Sequence, residues 1–489
     1  MLPFARNNSA TSLIIVLFAS LFFHFHTTYA QPSAIEKIDR YIQAKLAKSS
    51  IPGLAIAVIH KDTLLFTKGY GTTSTNTPVT ADTPFAIASL SKAFTALAIM
   101  QLVEAGQISL DTPIKKYIPS FTPADPQVAS ITVRQLLHQT SGLADTGFPE
   151  LAFSEQPNTL DEAINQQKKA QLVSRPGEQF HYHNPNYRLL AKIVEAVSKE
   201  PFASYMQKHI FKPLQMTNTS DVSTTSSLFT GPQRVDEGHI FFLGKPIAVR
   251  EPSWFIDGAA GIRSSVNDMA RWLIYQQNSE RSGSTQLVSH QSMALMHNAP
   301  SGTTLHYGMG WIVGPKATLY HSGILWTYSA EQLLLTQEGY GVILLFNSGV
   351  NPFVDYNSFI QGVADILAGR QPESPTLPGW FLPACLGIFL LLLNALVIQR
   401  FFRVRQWQQA YYQRPAWRSW LFLFIRLLPF FAFLLIPHLF TTLSGRVLSW
   451  DRIFLMMPDG VLGLGLFAIL NLAVVIYRLV AYRTMLSKS

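Results

Sequence analysis

Three long hydrophobic segments near the C-terminus restrict the architecture of this 489-residue chain more than any other feature. They cover residues 380–398, 420–441 and 453–477. Each is long enough to cross a bilayer, which takes about 20 mainly apolar residues in a helix. The sequence therefore predicts a membrane region of three transmembrane helices over residues 380–489. A Pro-rich linker at residues 371–379 joins it to the rest of the chain.

The balance of charged residues also changes near the start of this membrane region. Residues 376–489 hold 11 of the 38 Lys and Arg residues but only 2 of the 29 Asp and Glu residues, so the whole net charge of +9 lies in this last quarter. A surface that binds nucleic acid would need its charge on the folded domain. We therefore expect no nucleic-acid partner.

The basic residues also predict the membrane topology. Five arginines lie between the first two segments, and Arg478, Arg483 and Lys488 follow the third. The positive-inside rule places both stretches in the cytoplasm and residues 31–378 outside it, as in a multi-pass protein of the cell membrane. Arg426, inside the second segment, is expected to snorkel or to face the helix bundle.

The N-terminus predicts export independently. Arg6, an apolar run at residues 13–23 and small residues before Gln31 are typical of a secretory signal peptide over residues 1–30. A retained anchor helix stays open as an alternative, although the run is shorter than a bilayer requires. The single cysteine, Cys385, provides no disulfide or metal framework for the exported part.

Residues 31–370 predict one mixed α/β (α+β) domain. A helical pattern at residues 35–46 precedes a hairpin of strands at 54–59 and 64–67, and strands return only between residues 310 and 346. The simplest packing places the hairpin beside the late strands in one antiparallel sheet. Terminal helices then cover one face, and a helical subdomain from the middle of the chain covers the other.

Ser89 and Lys92 are the first candidate catalytic residues. They stand three positions apart where an apolar helix is predicted to begin, so the amine can reach the hydroxyl. A lysine desolvated by apolar neighbours can accept the serine proton, and the first N–H groups of the helix can stabilise an oxyanion. The spacing alone also fits an ordinary helix without chemistry.

Two later stretches favour an active site. Tyr182 and Asn184 would point to the same side of an extended segment, where the phenol can transfer the proton of Ser89 and the amide can bind substrate. The stretch 321–323, His-Ser-Gly, ends a strand, and its glycine permits close approach of a substrate backbone. Packing, turn and strand-end roles remain open for each residue, but their order after Ser89 indicates a joint function.

A metal site is not expected. His181 and His183 could form a metal pair, but no Asp, Glu or Cys stands at ligand spacing beside them. We expect His183 to face solvent. The sequence therefore predicts no metal and no other cofactor.

These motifs resemble the serine β-lactamase and penicillin-binding-protein superfamily, in its class C-like branch of β-lactamases, S12-like peptidases and esterases. The resemblance covers residues 33–370 and is carried by residues 89–92, 132–143, 176–184, 213–216, 261–268 and 321–323. It implies a β-lactamase/transpeptidase-like fold and an acyl-enzyme on Ser89, with Lys92 and Tyr182 sharing the proton transfers. The substrate-binding residues that it implies are Asn184, His321, Ser322, Gly323 and Ile324.

The resemblance also implies an oxyanion hole made by the N–H groups of Ser89 and Ile324. The order of signal peptide, exported domain and three spans is similar to that of the membrane-anchored peptidase that matures colibactin. One departure concerns residues 324–326, where Ile, Leu and Trp replace the Gly-rich turn of many relatives. We expect these larger side chains to narrow the acyl pocket and make it more apolar.

Three functions stay open on the sequence alone. The first is a membrane-anchored serine hydrolase of amide bonds in peptides that contain D-residues. The second is an esterase or slow β-lactamase, and the third is a penicillin-binding sensor that is acylated without turnover. The partner in each case is a small peptide, ester or β-lactam-like substrate, and the oligomeric state is left open. We expect the spans to anchor without chemistry of their own, so that a chain ending near Gln371 keeps its activity on a small ester.

Overall fold

The structure is a computed structural model that describes residues 33–152, 155–277, 286–301, 306–373, 377–413 and 415–486. The predicted signal peptide, residues 1–30, lies outside the described residues. Residues 33–373 are called the N-terminal domain below, and residues 377–486 are called the C-terminal region.

The N-terminal domain combines helices and short and long strands. Its helices are α1 Ala34–Lys48, α2 Ser91–Glu104, α3 Val133–Leu137, α4 Leu160–Gln167, α5 Asn184–Ser198, α6 Phe202–Met206, α7 Val266–Gln277, α8 His290–His297 and α9 Asn357–Leu367. Its strands are β1 Gly53–His60, β2 Thr63–Gly71, β3 Phe85–Ala86, β4 Ser220–Asp221, β5 Gly238–Phe242, β6 Lys245–Val249, β7 Ile262–Ser264, β8 Ile312–Val313, β9 Leu319–Ile324, β10 Ser329–Leu335 and β11 Tyr340–Phe346.

A six-stranded sheet forms the centre of this domain. Its strand order is β2-β1-β11-β10-β9-β8, and all neighbours are antiparallel. The early hairpin therefore joins the late strands through β1 and β11, which confirms the predicted sheet. Strand β1 is apolar and buried almost throughout because α1 and α9 cover one face of the sheet and α7 covers the other.

Helix α2 runs through the core of the helical half. A 3₁₀ turn at Ala88–Leu90 leads into it, and Gly106, with φ of +67°, follows its end. The helix is apolar on all sides and therefore packs on all sides. Phe94, for example, stacks on Trp272 with 3.7 Å between ring centroids. The predicted helix is confirmed, except that its first turn is 3₁₀.

The C-terminal region is helical. Its helices are α10 Phe381–Phe402, α11 Val404–Gln413, α12 Ala416–Leu434, α13 Ile436–Ser444, α14 Trp450–Met456 and α15 Pro458–Leu486. Three stretches are long and apolar enough to cross a membrane, namely Phe381–Phe402, Trp417–Leu434 and Pro458–Thr484.

The helices of the structure differ from the second and third predicted segments in their bounds. The segment 420–441 is divided between α12 and α13, and the third span begins only at Pro458. Proline has no backbone N–H to donate and suits the first turn of a helix, so Pro437 and Pro458 each stand where a new helix starts. Residues 436–457, called the connecting segment below, pack on the N-terminal domain, and Leu448 and Ile453 join its core.

Gly323 of β9 has a structural role that the sequence prediction missed. A Cβ at this position would lie 2.2 Å from the carbonyl oxygen of Ile87, two residues before Ser89. The strand can therefore approach the Ser89 turn this closely only with glycine at position 323. This backbone contact accounts for the glycine without the substrate approach that the sequence suggested.

We expect Gly323→Ala to push β9 away from that turn and to lower the free energy of unfolding by about 1–3 kcal/mol, as overpacking does elsewhere. Gly314→Ala is the matched control, because a Cβ there meets no atom closer than 3.5 Å. Thermal unfolding of both variants measures the difference. Equal melting temperatures would contradict the close contact.

Candidate active site

Ser89 lies half-buried on a cavity at the start of α2. The residue before it, Ala88, has φ of +48°, a left-handed conformation that costs a non-glycine residue about 1–3 kcal/mol. Ser91 holds the turn, since its Oγ donates to the carbonyl oxygen of Ala88 at 2.6 Å and accepts from the backbone N of Ile262 at 3.1 Å. The packing thus fixes Ser89 at the end of a strained turn.

Lys92 is fully buried one turn after Ser89. Its Nζ lies 3.1 Å from Ser89 Oγ, 2.9 Å from Asn184 Oδ1 and 2.9 Å from the carbonyl oxygen of Ala259. The last two oxygens can only accept hydrogen bonds. A neutral amine that donates its two N–H groups to them keeps its lone pair for the proton of the Ser89 hydroxyl.

The electrostatics also favour a neutral amine. Burial holds the pKa of Lys92 well below its ordinary value, and the positive charges of Arg446 and Arg188 lower it further, while Glu150 raises it. Among the described residues, no carboxylate lies within salt-bridge distance of this amine. Lys92 can therefore act as a base near neutral pH.

Tyr182 lies over the same amine. Nζ of Lys92 is 4.9 Å from the centroid of the Tyr182 ring. Burial raises the pKa of Tyr182 to about 12, although a hydrogen bond with Ser89 acts in the opposite direction. The phenol therefore keeps its proton near neutral pH and can deliver it to a group beside Ser89.

Asn184 makes contacts that its predicted substrate-binding role did not include. Its side chain is buried, Oδ1 accepts from Lys92, and Nδ2 donates to Glu150 Oε1 at 2.8 Å. Both ends of the amide are therefore bound by protein groups. In this arrangement Asn184 orients the amine of Lys92.

Glu150 is a buried carboxylate behind Asn184. Arg188, one turn along α5, donates to its second oxygen and to the carbonyl oxygen of Phe255. Burial raises the pKa of Glu150, but Arg188 and Arg446 outweigh this effect and hold the pKa below its ordinary value. The charged carboxylate keeps the amide nitrogen of Asn184 turned towards it and the amide oxygen turned towards Lys92.

Arg446 comes from the connecting segment and reaches the same cluster. Its Nε lies 2.9 Å from Oδ2 of the buried Asp145, and its Nη2 lies 3.6 Å from Oε1 of Glu150. Its Nη1 donates to the carbonyl oxygen of Tyr182 at 3.3 Å. One side chain of the C-terminal region thus binds two buried acids and the backbone of a candidate catalytic residue.

Strand β9 carries the predicted His321 and Ser322. His321 Nδ1 lies 2.7 Å from the carbonyl oxygen of Ser322, which assigns the ring proton to Nδ1, so Nε2 accepts from the Tyr307 hydroxyl at 3.2 Å. Burial lowers the pKa of His321 to about 3, so its ring is neutral. Ser322 Oγ donates to Glu331 at 2.7 Å.

A cavity of about 470 Å³ opens beside Ser89. The predicted residues on its walls are Ser89, Tyr182, Asn184, His321, Ser322 and Ile324. Lys92 and Gly323 lie behind these walls. Leu325 and Trp326 follow Ile324 on the wall, so the stretch that replaces the Gly-rich turn does make the pocket more apolar.

The connecting segment forms another part of the cavity. Its contribution consists of Phe440, Ser444, Arg446, Leu448 and Met456. All the site residues predicted from the sequence lie between Ser89 and Ile324, so this part of the wall was missed. A chain ending near Gln371 would lack this wall and the arginine that pairs with Asp145.

His183 is buried, contrary to the expected exposure. Its Nδ1 lies 3.0 Å from Oδ1 of Asp145, whereas His181 Nε2 pairs with Ser174 Oγ at 3.1 Å. The two imidazoles therefore have separate partners. No group of three or more His, Cys, Asp and Glu residues within the described ranges could hold a metal ion.

Sequence reasoning missed Glu150, Arg188 and Arg446. Arg188 follows Asn184 by four positions, which places both residues on one face of a helix, and this spacing could have linked them. Glu150 and Arg446 are separated by about 300 residues. No local pattern marks either of them.

Comparisons with known proteins show the family of this chain. The profile of the Beta-lactamase family matches residues 38–363, well over half of the chain, and the chain therefore belongs to this family. It has the family's mixed α/β fold with an antiparallel sheet.

Individual relatives share roughly 30% of the aligned residues with this chain. The chain is 31% identical over 319 residues to the protein named Flp of Staphylococcus aureus strain N315, which covers 64% of this chain and 63% of that protein. It is 28% identical over 289 residues to a protein named beta-lactamase of Escherichia coli K12, covering 58% of this chain and 72% of that one. The chain thus spans less than two thirds of the length of its S. aureus relative.

Among solved structures, an octameric penicillin-binding protein homologue from Pyrococcus abyssi superposes with a TM-score of 0.59. The two sequences are 27% identical, and the match covers 69% of this chain and 78% of the other. The N-terminal domain therefore shares its fold with a penicillin-binding protein homologue.

Arg446→Gln should move the acid limb of the pH–rate profile for Ser89 acylation to higher pH. Loss of this cation raises the pKa of Lys92, and on the acid limb each unit of that rise lowers the rate about tenfold at fixed pH. The rate of labelling by a fluorophosphonate probe, followed from about pH 5 to about pH 10, measures the shift.

Arg446→Lys is the matched control, because it keeps the charge and should leave the limb near its wild-type position. A uniform loss of rate at every pH in Arg446→Gln, without a shift, would show that Arg446 only supports the folded structure.

Proposed function

We propose that this protein is a membrane-anchored, extracytoplasmic serine hydrolase that cleaves amide bonds through an acyl-enzyme on Ser89. The observation that carries this proposal is the buried amine of Lys92, held 3.1 Å from Ser89 Oγ with its two other contacts made to obligate acceptors. Membership of the Beta-lactamase family supports the reaction class, since members of that family are generally serine hydrolases.

In the proposed acylation step, Ser89 Oγ attacks the carbonyl carbon of the substrate and its proton passes to Lys92. The N–H groups of Ser89 and Ile324 are the proposed donors to the oxyanion that forms. As the C–N bond breaks, Tyr182 gives its proton to the leaving nitrogen, and the protonated Lys92 restores the proton of the phenol. The substrate acyl group then remains on Ser89 as an ester.

In the proposed deacylation step, a water molecule attacks this ester and passes a proton to the neutral Lys92. The C–O bond to Ser89 then breaks, and the serine oxygen takes the proton back. The buried His321 and the half-buried Ser322 hold β9, which forms one edge of the cavity, against the substrate. Asn184 acts through Lys92 as a positioning residue.

For the substrate we propose a small peptide with a D-residue next to the scissile amide. The support is the resemblance of residues 89–92, 180–184 and 321–323 to D-peptidase motifs, together with the fold shared with a penicillin-binding protein homologue. The apolar wall at Ile324, Leu325 and Trp326 favours an uncharged acyl group beside the scissile bond.

The same wall supports a second candidate, an esterase or slow β-lactamase with the same Ser89 and Lys92. The contact of Arg446 with the site supports a third, a penicillin-binding sensor whose acylation is transmitted to the C-terminal helices. Burst kinetics separate the third candidate from the two hydrolases. A hydrolase releases many equivalents of product, whereas a sensor stops after one.

For localisation we propose that residues 1–30 direct export and that the three apolar helices cross the cell membrane with residues 31–378 outside. The support is the excess of Arg between the first two spans and after the third. Residues 31–370 would then form the hydrolase domain, 371–379 the linker and 380–489 the membrane region.

A fluorophosphonate or penicillin-type probe should label Ser89 covalently, and Ser89→Ala should abolish the labelling. Lys92→Ala should slow labelling by several orders of magnitude, on the order of 4 kcal/mol or more, because nucleophile and base act as a unit. Mass spectrometry of the labelled peptide and the labelling rate measure both effects.

The exposed Ser109→Ala and Lys116→Ala are matched controls and should label like the wild type. Intact labelling of Ser89→Ala would refute the assignment of the nucleophile. A loss of less than about tenfold in Lys92→Ala would mean that another group is the base.

A further inference from the structure

A second cavity, of about 290 Å³, lies between the helices of the C-terminal region at the end away from the N-terminal domain. Four arginines line it. Arg400 and Arg403 come from the end of α10, Arg426 from α12 and Arg478 from α15. The helices thus bring four positive charges from three different places in the chain to one opening.

Among the described residues of this region, no carboxylate is placed to neutralise them. Residues 376–489 contain only Asp451 and Asp459 as acidic residues. Asp459 lies in the first turn of α15, 19 residues before Arg478, which corresponds to roughly 28 Å along a helix. Asp451 lies in the connecting segment, beside the N-terminal domain. Converging like charges repel unless an anion lies between them.

Arg478 shows an unused hydrogen-bonding capacity. Only 8% of this residue is exposed, and its Nε has no hydrogen-bond partner among the described residues. Its guanidinium lies 5.3 Å from the centroid of the Trp407 ring, which fixes its plane. Arg426, by comparison, donates from Nη1 to Asn471 Oδ1 at 3.0 Å. A buried donor without an acceptor costs free energy that a bound anion would recover.

We propose that this cavity binds a phosphate group, with Arg478 as its central ligand. Planar guanidinium groups match the oxygens of phosphate, and basic pockets between membrane helices bind phosphorylated lipid headgroups. The cavity opens at the end of α10, near the level of the headgroups, and extends inward to Arg426 in the middle of the α12 span. The phosphate of an anionic lipid and free phosphate are the two sources of this chemistry, and the proposal does not depend on the activity at Ser89.

The test uses the full-length protein in a neutral detergent, titrated with short-chain phosphatidylglycerol and read by native mass spectrometry. Short-chain diacylglycerol, which has no phosphate group, serves as the lipid control. We expect wild-type protein to bind phosphatidylglycerol in preference, and Arg478→Gln to weaken this binding by about tenfold or more, because a charged hydrogen-bond donor is lost. Arg483→Gln, an exposed position of the same helix outside the cavity, should bind like the wild type.

Arg403→Gln provides a second variant at an exposed helix end and should weaken binding even if Arg478→Gln fails to fold. Competition by inorganic phosphate at millimolar concentration would identify free phosphate as the ligand, and resistance to it would identify the lipid headgroup. Binding in Arg478→Gln and Arg403→Gln equal to that of Arg483→Gln would overturn the proposal. Equal binding of the two lipids by the wild type would also overturn it.

Discussion

A lysine amine buried without a carboxylate beside it is the constraint on which the active site depends. Lys92 is surrounded by apolar residues of α2 and by acceptors that can take only its N–H protons. A charged amine in that position would be costly, so the environment favours the neutral form. The same surroundings leave the lone pair directed at Ser89. Burial of α2 therefore determines both the packing of the domain and the chemistry of its first residues.

Charges around this amine are distributed over distant parts of the chain. Glu150 orients Asn184, while Arg188 and Arg446 balance the carboxylate and keep the amine neutral. Since Arg446 belongs to the connecting segment between two membrane-length helices, the C-terminal region takes part in the electrostatics of the site. A C-terminal region that only anchored the protein would need its membrane-length helices alone. It would need no contact between Arg446 and Asp145.

The sequence predicted the parts of the fold that depend on local patterns. The hairpin, the late strands, the apolar helix after Ser89 and the three hydrophobic segments each have their own periodicity or length, and the structure confirms their existence. The contacts that orient Lys92 could not be predicted, because Glu150 and Arg446 meet only after the chain has folded. Pro437 and Pro458 are present in the sequence, but hydrophobicity alone does not show whether a proline divides an apolar segment into two helices.

The pKa of Lys92 tests the central physical claim most directly. NMR of protein labelled at lysine side chains, with the Lys92 signal assigned by its loss in Lys92→Met, can follow the amine through a pH titration in detergent. A buried amine balanced by Arg446 and Glu150 should titrate well below the ordinary lysine value of 10.5. A Lys92 amine that titrates at or above that value would be charged at neutral pH. It could not then be the base that activates Ser89.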